Sequence, residues 1–187
     1  LLETEQSILI FDYWMDPADV VGAFIYPSGS KHVYVFASHF HEDHFNKDIF
    51  KWRQNNPFSD YTYILSKDIL KRKRAQKEDA DVWMAKGSVW EDENIKVIAT
   101  GSNDSGVSWI VETEGKKFLV DCGLHQGSMK EELLNDKPFD FDVTSIDFML
   151  LTHAHIDHSG RIPKLYKDGY RNPIYATKAT CDLCNIM

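Results

Sequence analysis

The chain has 187 residues, of which 43% are hydrophobic and 27% charged, and its formal net charge is −8. This composition is typical of one folded globular domain and excludes a disordered or collagen-like chain, while the negative charge disfavours attraction to nucleic acid over the whole surface. No run of about 18 uncharged apolar residues occurs, so we expect no membrane contact. Three cysteines and an N-terminus without a signal-type apolar core predict a cytoplasmic protein.

The first predicted elements surround a histidine-rich segment. Residues 1–12 read as a β-hairpin that ends in Asp12, and residues 32–37 form a short apolar run typical of a buried strand. The motif HxHxDH follows at once, and residues 46–52 read as the start of a helix. The motif supplies four candidate metal ligands: His39, His41, Asp43 and His44. Strand, ligand loop and helix in this order are the usual setting of an α/β active site.

A basic stretch at residues 67–77 comes next along the chain. Such a run can contact phosphate groups. A solvated helix face is the favoured interpretation, because three of the four residues that follow it directly, at 78–81, are acidic.

A second copy of the first pattern occupies the rest of the chain. Residues 110–121 align without gaps on residues 1–12 at a constant offset of 109, share the letters Glu-Thr-Glu, and end in Asp121. An apolar strand is predicted at residues 146–151 and a helix start at residues 159–166. Between them lies a second HxHxDH motif, with candidate ligands His153, His155, Asp157 and His158. The order hairpin, Asp, HxHxDH therefore occurs twice.

The histidine distribution indicates a metal. Six of the eight histidines fall in the two six-residue motifs, where chance would place about half of one. Imidazole nitrogen and carboxylate oxygen together suit zinc and related divalent ions, and ligands spaced this closely after a strand can converge on one ion.

These residues carry a resemblance to the metallo-β-lactamase superfamily, in which HxHxDH is the central motif and a strand-terminal Asp accompanies it. The resemblance implies an α/β fold, the αβ/βα sandwich, with one or two metals at the strand ends. Residues 1 to about 113 resemble a small single-domain metallo-hydrolase, whereas residues from about 106 to 187 resemble the N-terminal part of a β-CASP RNA-processing nuclease. We therefore expect residues 1–187 to form one domain built from two related halves, about 1–109 and 110–187.

The resemblance leaves two ligand sets open. In the first, His39 and His41 hold one metal, Asp43 and His44 hold a second, Asp121 bridges them, and Asp104 or another group replaces the family's third histidine. The second set is composed of Asp121, His153, His155, Asp157 and His158. The sequence does not show the later ligands of the family. We therefore expect the sandwich to be incomplete, and we expect the chain to be a fragment or a chimera. For Asp12, a hydrogen bond to the ligand loop and direct metal contact are equally expected.

The resemblance implies hydrolysis by a water molecule that two zinc ions activate. The implied catalytic residues are Asp43 and Asp157, which bind metal or orient the hydroxide. The leading substrate class is a small-molecule ester or phosphodiester. The alternatives are an RNA nuclease and a fragment that binds metal without turnover.

Overall fold

A computed structural model describes residues 1–25, 31–57, 59–101 and 107–186. The chain divides into two compact units, Leu1–Ala85 and Lys86–Met187, each with its own sheet. Across the described ranges, no helix is long and apolar enough to cross a membrane.

The first unit is built on a five-stranded sheet in the order β1-β2-β3-β4-β5. Its strands are β1 (Leu2–Glu3), β2 (Ser7–Phe11), β3 (His32–Ala37), β4 (Tyr61–Ser66) and β5 (Val82–Met84), and its helices are α1 (Val20–Ile25), α2 (Ile49–Asn55) and α3 (Lys67–Lys71). Only β1 runs antiparallel to its neighbour, and the remaining pairs are parallel. Parallel strands are covered on both faces, which is why Val33 and Tyr34, on opposite faces of β3, are both fully buried.

The second unit is built on a six-stranded sheet in the order β11-β10-β9-β8-β7-β6. Its strands are β6 (Val89–Glu91), β7 (Ile95–Ala99), β8 (Trp109–Thr113), β9 (Lys116–Val120), β10 (Phe148–Leu150) and β11 (Ile174–Tyr175), and its helices are α4 (Met129–Glu132), α5 (Ile156–Ser159), α6 (Ile162–Lys167) and α7 (Lys178–Cys184). Strands β6 to β9 form an antiparallel meander, whereas β9, β10 and β11 are parallel. A core cluster that includes Leu119, Met149 and Leu165 supports the parallel part.

The sequence repeat corresponds to a repeated structural unit. Strands β1 and β2 form one antiparallel hairpin and β8 and β9 form the other, and each second strand then pairs in parallel with the strand that precedes a motif. Asp12 and Asp121 end the hairpins with positive φ values of 49° and 60°. Asp tolerates this left-handed conformation better than most residues because its short side chain hydrogen-bonds locally.

The predicted elements and the observed ones differ mainly at their ends. Strand β3 coincides with the predicted strand at 32–37, whereas β10 covers only the middle of the predicted 146–151. Helix α2 begins at Ile49, three residues later than predicted. Residues 86–109, which the repeat assigned to the first half, contribute β6 and β7 to the sheet of the second unit.

Candidate metal centres

The first motif begins directly after β3, in a loop that one aspartate holds in place. Asp12 Oδ1 accepts a hydrogen bond from the Ser38 backbone N–H at 2.7 Å, and Asp12 Oδ2 accepts one from the Ser38 hydroxyl at 2.6 Å. The Asp12 backbone N–H donates to Phe36 at 3.0 Å, which fixes the aspartate at the end of the neighbouring strand. The hydrogen bond to the ligand loop, one of the two roles predicted for Asp12, is therefore present.

The same bonds fix the tautomer of His39. Ser38 Oγ lies 3.0 Å from His39 Nδ1 and donates its own hydrogen to Asp12, so it accepts the hydrogen on Nδ1. Nε2 of His39 then carries a lone pair and can bind a metal. Histidine ligands in metal sites are usually oriented in this way by a hydrogen bond on the other ring nitrogen.

His39 and His41 present two nitrogens to the same point. His39 Nε2 lies 3.0 Å from His41 Nδ1, and the rings meet edge to face with centroids 4.6 Å apart. Two nitrogens on one tetrahedral zinc, each about 2.0–2.1 Å from the ion, are about 3.3 Å apart. The observed separation fits one shared divalent ion after a small adjustment.

Asp43 and His44 form the other half of the first motif. Asp43 Oδ2 lies 3.2 Å from His44 Nε2, and His44 Nδ1 lies 3.4 Å from Asp12 Oδ2. His44 is buried, whereas 43% of the Asp43 side chain is exposed, so this carboxylate can reach a substrate or water. The arrangement is suited to a second ion and to proton transfer by Asp43.

The second motif repeats this construction in the second unit. Asp121 Oδ1 accepts from the Thr152 backbone N–H at 2.8 Å and Asp121 Oδ2 accepts from the Thr152 hydroxyl at 2.8 Å, while Thr152 Oγ1 lies 3.0 Å from His153 Nδ1. The rings of His153 and His155 are 4.6 Å apart, the same separation as in the first motif. The Nε2 atom of His153 is again the one oriented for a metal.

His158 is held more tightly than its counterpart His44. Its Nδ1 lies 2.8 Å from Asp121 Oδ2 in a fully buried pair, and its Nε2 lies 3.7 Å from Asp157 Oδ2. Both oxygens of Asp121 thus accept hydrogen bonds within the second unit, which supports a positioning role for this residue. Its predicted role as a metal ligand or bridge stays a prediction.

The segment after Asp121 packs against the back of the second motif. The Cys122 backbone N–H donates to the His158 carbonyl oxygen at 2.7 Å, and the Leu124 backbone N–H donates to the Ile156 carbonyl oxygen at 2.9 Å. A Cβ on Gly123 would lie 1.5 Å from the Asp157 carbonyl oxygen, so only glycine permits this approach. Burial raises the pKa of the Cys122 thiol to about 12, so this thiol is neutral.

A basic segment contacts the first motif. Asp68 on α3 accepts a hydrogen bond from the Phe40 backbone N–H at 3.1 Å, and the Arg72 guanidinium lies 4.8 Å from the centre of the Phe40 ring. Arg74 forms a 3.4 Å ion pair with Glu42. The exposed part of the stretch at 67–77 therefore lies beside the ligand loop of its own unit.

Sequence reasoning missed Ser38 and Thr152, although a signal was present. Both are hydroxyl residues directly before the first histidine of a motif, and the repeat aligns them. Asp104, the expected substitute for a third histidine, lies outside the described residues.

Comparisons with known proteins show which family and which fold the chain resembles. A family model described as the metallo-beta-lactamase superfamily matches residues 101–179. The resemblance to this superfamily is confirmed. The metallo-β-lactamase fold protein YhfI from Bacillus subtilis aligns over 95% of this chain and 87% of its own with a TM-score of 0.52, and its 10% identity supports the fold alone. The predicted metallo-β-lactamase α/β fold is thus confirmed as well.

Two curated relatives are more similar in sequence. Ribonuclease TTHA0252 of Thermus thermophilus is 49% identical over 83 residues, which are 44% of this chain and 19% of that protein. Transcription termination factor FttA of a Lokiarchaeum species is 30% identical over 137 residues, which are 70% of this chain and 22% of that protein. The chain therefore spans about a fifth of the length of these two relatives.

Proposed function

We propose that this chain forms part of a zinc-dependent hydrolase that cleaves phosphodiester bonds, with RNA as the substrate. The observation that carries the proposal is the pair of facing nitrogens on His39 and His41, 3.0 Å apart, with the His39 tautomer fixed by Ser38 and Asp12. The matching construction at His153 repeats it with Thr152 and Asp121.

Each motif supplies two pairs of donors for this chemistry. We expect His39 and His41 to hold one ion and Asp43 and His44 a second in the first unit. In the second unit the corresponding residues are His153, His155, Asp157 and His158. When bound, zinc lowers the pKa of a bound water towards 7 and stabilises negative charge on a phosphoryl oxygen.

The protein's own residues orient the ligands and move protons. The Ser38 and Thr152 hydroxyls hold Nδ1 of the first histidine of each motif protonated, so that Nε2 keeps its lone pair. We expect Asp43 and Asp157 to bind metal or to orient the attacking water, and the exposure of their side chains, 43% and 24%, supports access to water.

Two observations favour RNA over a small neutral ester. Two of the relatives are named as a ribonuclease and a transcription termination factor. In addition, the exposed Arg72 lies against the first motif loop, where its positive charge attracts phosphate groups. This arrangement supports the phosphate-contact interpretation of the basic stretch.

The test combines metal analysis with a cleavage assay. Zinc content is measured by mass spectrometry, and cleavage of a fluorescent RNA, a generic phosphodiester and a carboxylic ester is followed for wild type, Asp43→Ala and Asp157→Ala. Asp136→Ala, an exposed change in the second unit, is the matched control. We expect zinc in the wild type, RNA cleavage, and loss of cleavage in one or both motif variants.

The outcomes separate the alternatives. A loss confined to Asp43→Ala identifies the first motif as the working site, and a loss confined to Asp157→Ala identifies the second. Faster turnover of the carboxylic ester than of RNA would contradict the RNA proposal. Zinc without turnover would leave a metal-binding chain that is not an enzyme, and a protein without zinc would refute the proposal altogether. A cytoplasmic location stays a prediction.

A further inference from the structure

A cavity of about 260 Å³ lies in the second unit. None of the nine motif and strand-end residues predicted to bind metal lines it. Its walls include three cationic residues, Arg161, Lys86 and Lys137, and one acidic residue, Asp140. The two hydroxyl residues Thr100 and Ser108 also face it.

Of the three cationic residues in the cavity wall, Arg161 is the buried one. It is 9% exposed, its Nη2 donates to the Lys137 carbonyl oxygen at 3.2 Å, and its guanidinium carbon lies 4.2 Å from the centre of the Phe139 ring. The buried Nε has no hydrogen-bond acceptor among the residues that the structure describes. Nor does any carboxylate oxygen of those residues lie within 4.0 Å of the guanidinium nitrogens.

A buried cation without a counter-charge is costly, because the desolvation of the charge is not offset. Burial is the largest influence on the pKa of Arg161 and lowers it. Three cationic residues against the one carboxylate of Asp140 leave the cavity wall with an excess of positive charge.

We propose that this cavity binds a phosphate-type oxyanion, either free inorganic phosphate or a backbone phosphate of a nucleic acid. The planar guanidinium of Arg161 is suited to an oxyanion with several acceptor atoms. Thr100 Oγ1 lies 2.7 Å from Ser108 Oγ, so the pair can direct one hydroxyl hydrogen towards the ligand. The exposed Lys86 and Lys137 add charge at the entrance. The inference does not depend on the hydrolase proposal.

The test is calorimetric titration of the full chain with inorganic phosphate at constant ionic strength, with chloride as the reference anion. Each titration is made with zinc-loaded and with zinc-free protein. The variants are Arg161→Met, which keeps the length of the side chain, and the exposed Lys137→Gln. Lys130→Gln, an exposed change on α4 outside the cavity, is the matched control.

We expect phosphate to bind with and without zinc. Arg161→Met should weaken binding at least tenfold and Lys137→Gln about threefold, whereas Lys130→Gln should leave it unchanged. If Arg161→Met does not fold, the comparison between the two lysine variants decides. If an RNA oligomer without terminal phosphate groups competes with inorganic phosphate, the ligand is a backbone phosphate. If the oligomer does not compete, the ligand is free phosphate.

Three results would overturn the proposal. Phosphate could bind no better than chloride, or with the same affinity to Lys137→Gln as to wild type. Binding could also disappear on zinc removal, which would place the anion on the metal and leave the hydrolase proposal intact. Conversely, phosphate binding to a protein that does not cleave RNA would support the cavity and refute the hydrolase proposal.

Discussion

Replacement of Asp121 by asparagine tests whether this carboxylate sets the tautomer of His158. Oδ1 accepts from the Thr152 backbone N–H at 2.8 Å, and an asparagine oxygen can take over that bond. Oδ2 lies 2.8 Å from both the Thr152 hydroxyl and His158 Nδ1, and an amide NH₂ in its place must donate to them. The Thr152 hydroxyl can rotate, but His158 must move its hydrogen from Nδ1 to Nε2.

The magnitude follows from these bonds. Asp121→Ala leaves three donors without their acceptor in a fully buried place, and at about 1–3 kcal/mol each we expect a loss of at least about 3 kcal/mol in the free energy of unfolding. Asp121→Asn keeps part of the network, so we expect a loss of about 1–2 kcal/mol. Because Nε2 of His158 then carries the hydrogen, zinc affinity should fall about 10- to 100-fold.

The assay pairs urea denaturation with competition for zinc against a chromophoric chelator. Asp12→Asn is the matched variant of the first motif, and we expect a smaller effect on zinc affinity there because His44 Nδ1 lies 3.4 Å from Asp12 Oδ2. If Asp121→Asn folds and binds zinc with wild-type affinity, the carboxylate does not act through the tautomer of His158, and the reasoning is wrong.

Further predictions concern packing and pH. Gly123→Ala should destabilise the protein by several kcal/mol, since the added Cβ would overlap the Asp157 carbonyl oxygen; urea denaturation checks this, and the exposed change Asp136→Ala is the control. Burial raises the pKa of Cys122, Tyr63 and Tyr170 to about 12 from ordinary values of 9.0, 10.0 and 10.0. Since the folded pKa values are the higher ones, the stabilisation is complete below about pH 9 and is lost as the pH rises towards 12. Denaturation at pH 8 and pH 11 should show the decrease, and equal stability would contradict it.

Much of the fold was predictable because the local signals are strong. The run at 32–37 is short and rich in apolar β-formers, so it indicates a buried strand, and β3 has those bounds. The repeat places Asp12 and Asp121 at equivalent hairpin ends, and their positive φ values show that the equivalence extends to the backbone. The predicted strand ends and helix starts were less accurate than the predicted elements themselves, because element ends depend on hydrogen bonds to distant segments.

The two motifs were recognisable in the sequence, but the residues that hold them in place were not. The motif histidines are recognisable by their spacing, whereas Ser38 and Thr152 act through hydrogen bonds to residues 26 and 31 positions away in the chain. Arg161 resembles an ordinary surface arginine in the sequence, and only the packing of Phe139 and the Lys137 carbonyl oxygen against it shows a buried charge. Such long-range contacts leave no local pattern to read.

The most direct test of the central claim is RNA cleavage by the zinc-loaded full chain, measured together with bound zinc for wild type, Asp43→Ala, Asp157→Ala and the control Asp136→Ala. We predict that wild type and Asp136→Ala bind zinc and cleave RNA, and that at least one motif variant loses cleavage. Zinc-loaded protein that cleaves RNA equally well in all four forms, or wild type that binds no zinc, would contradict the account.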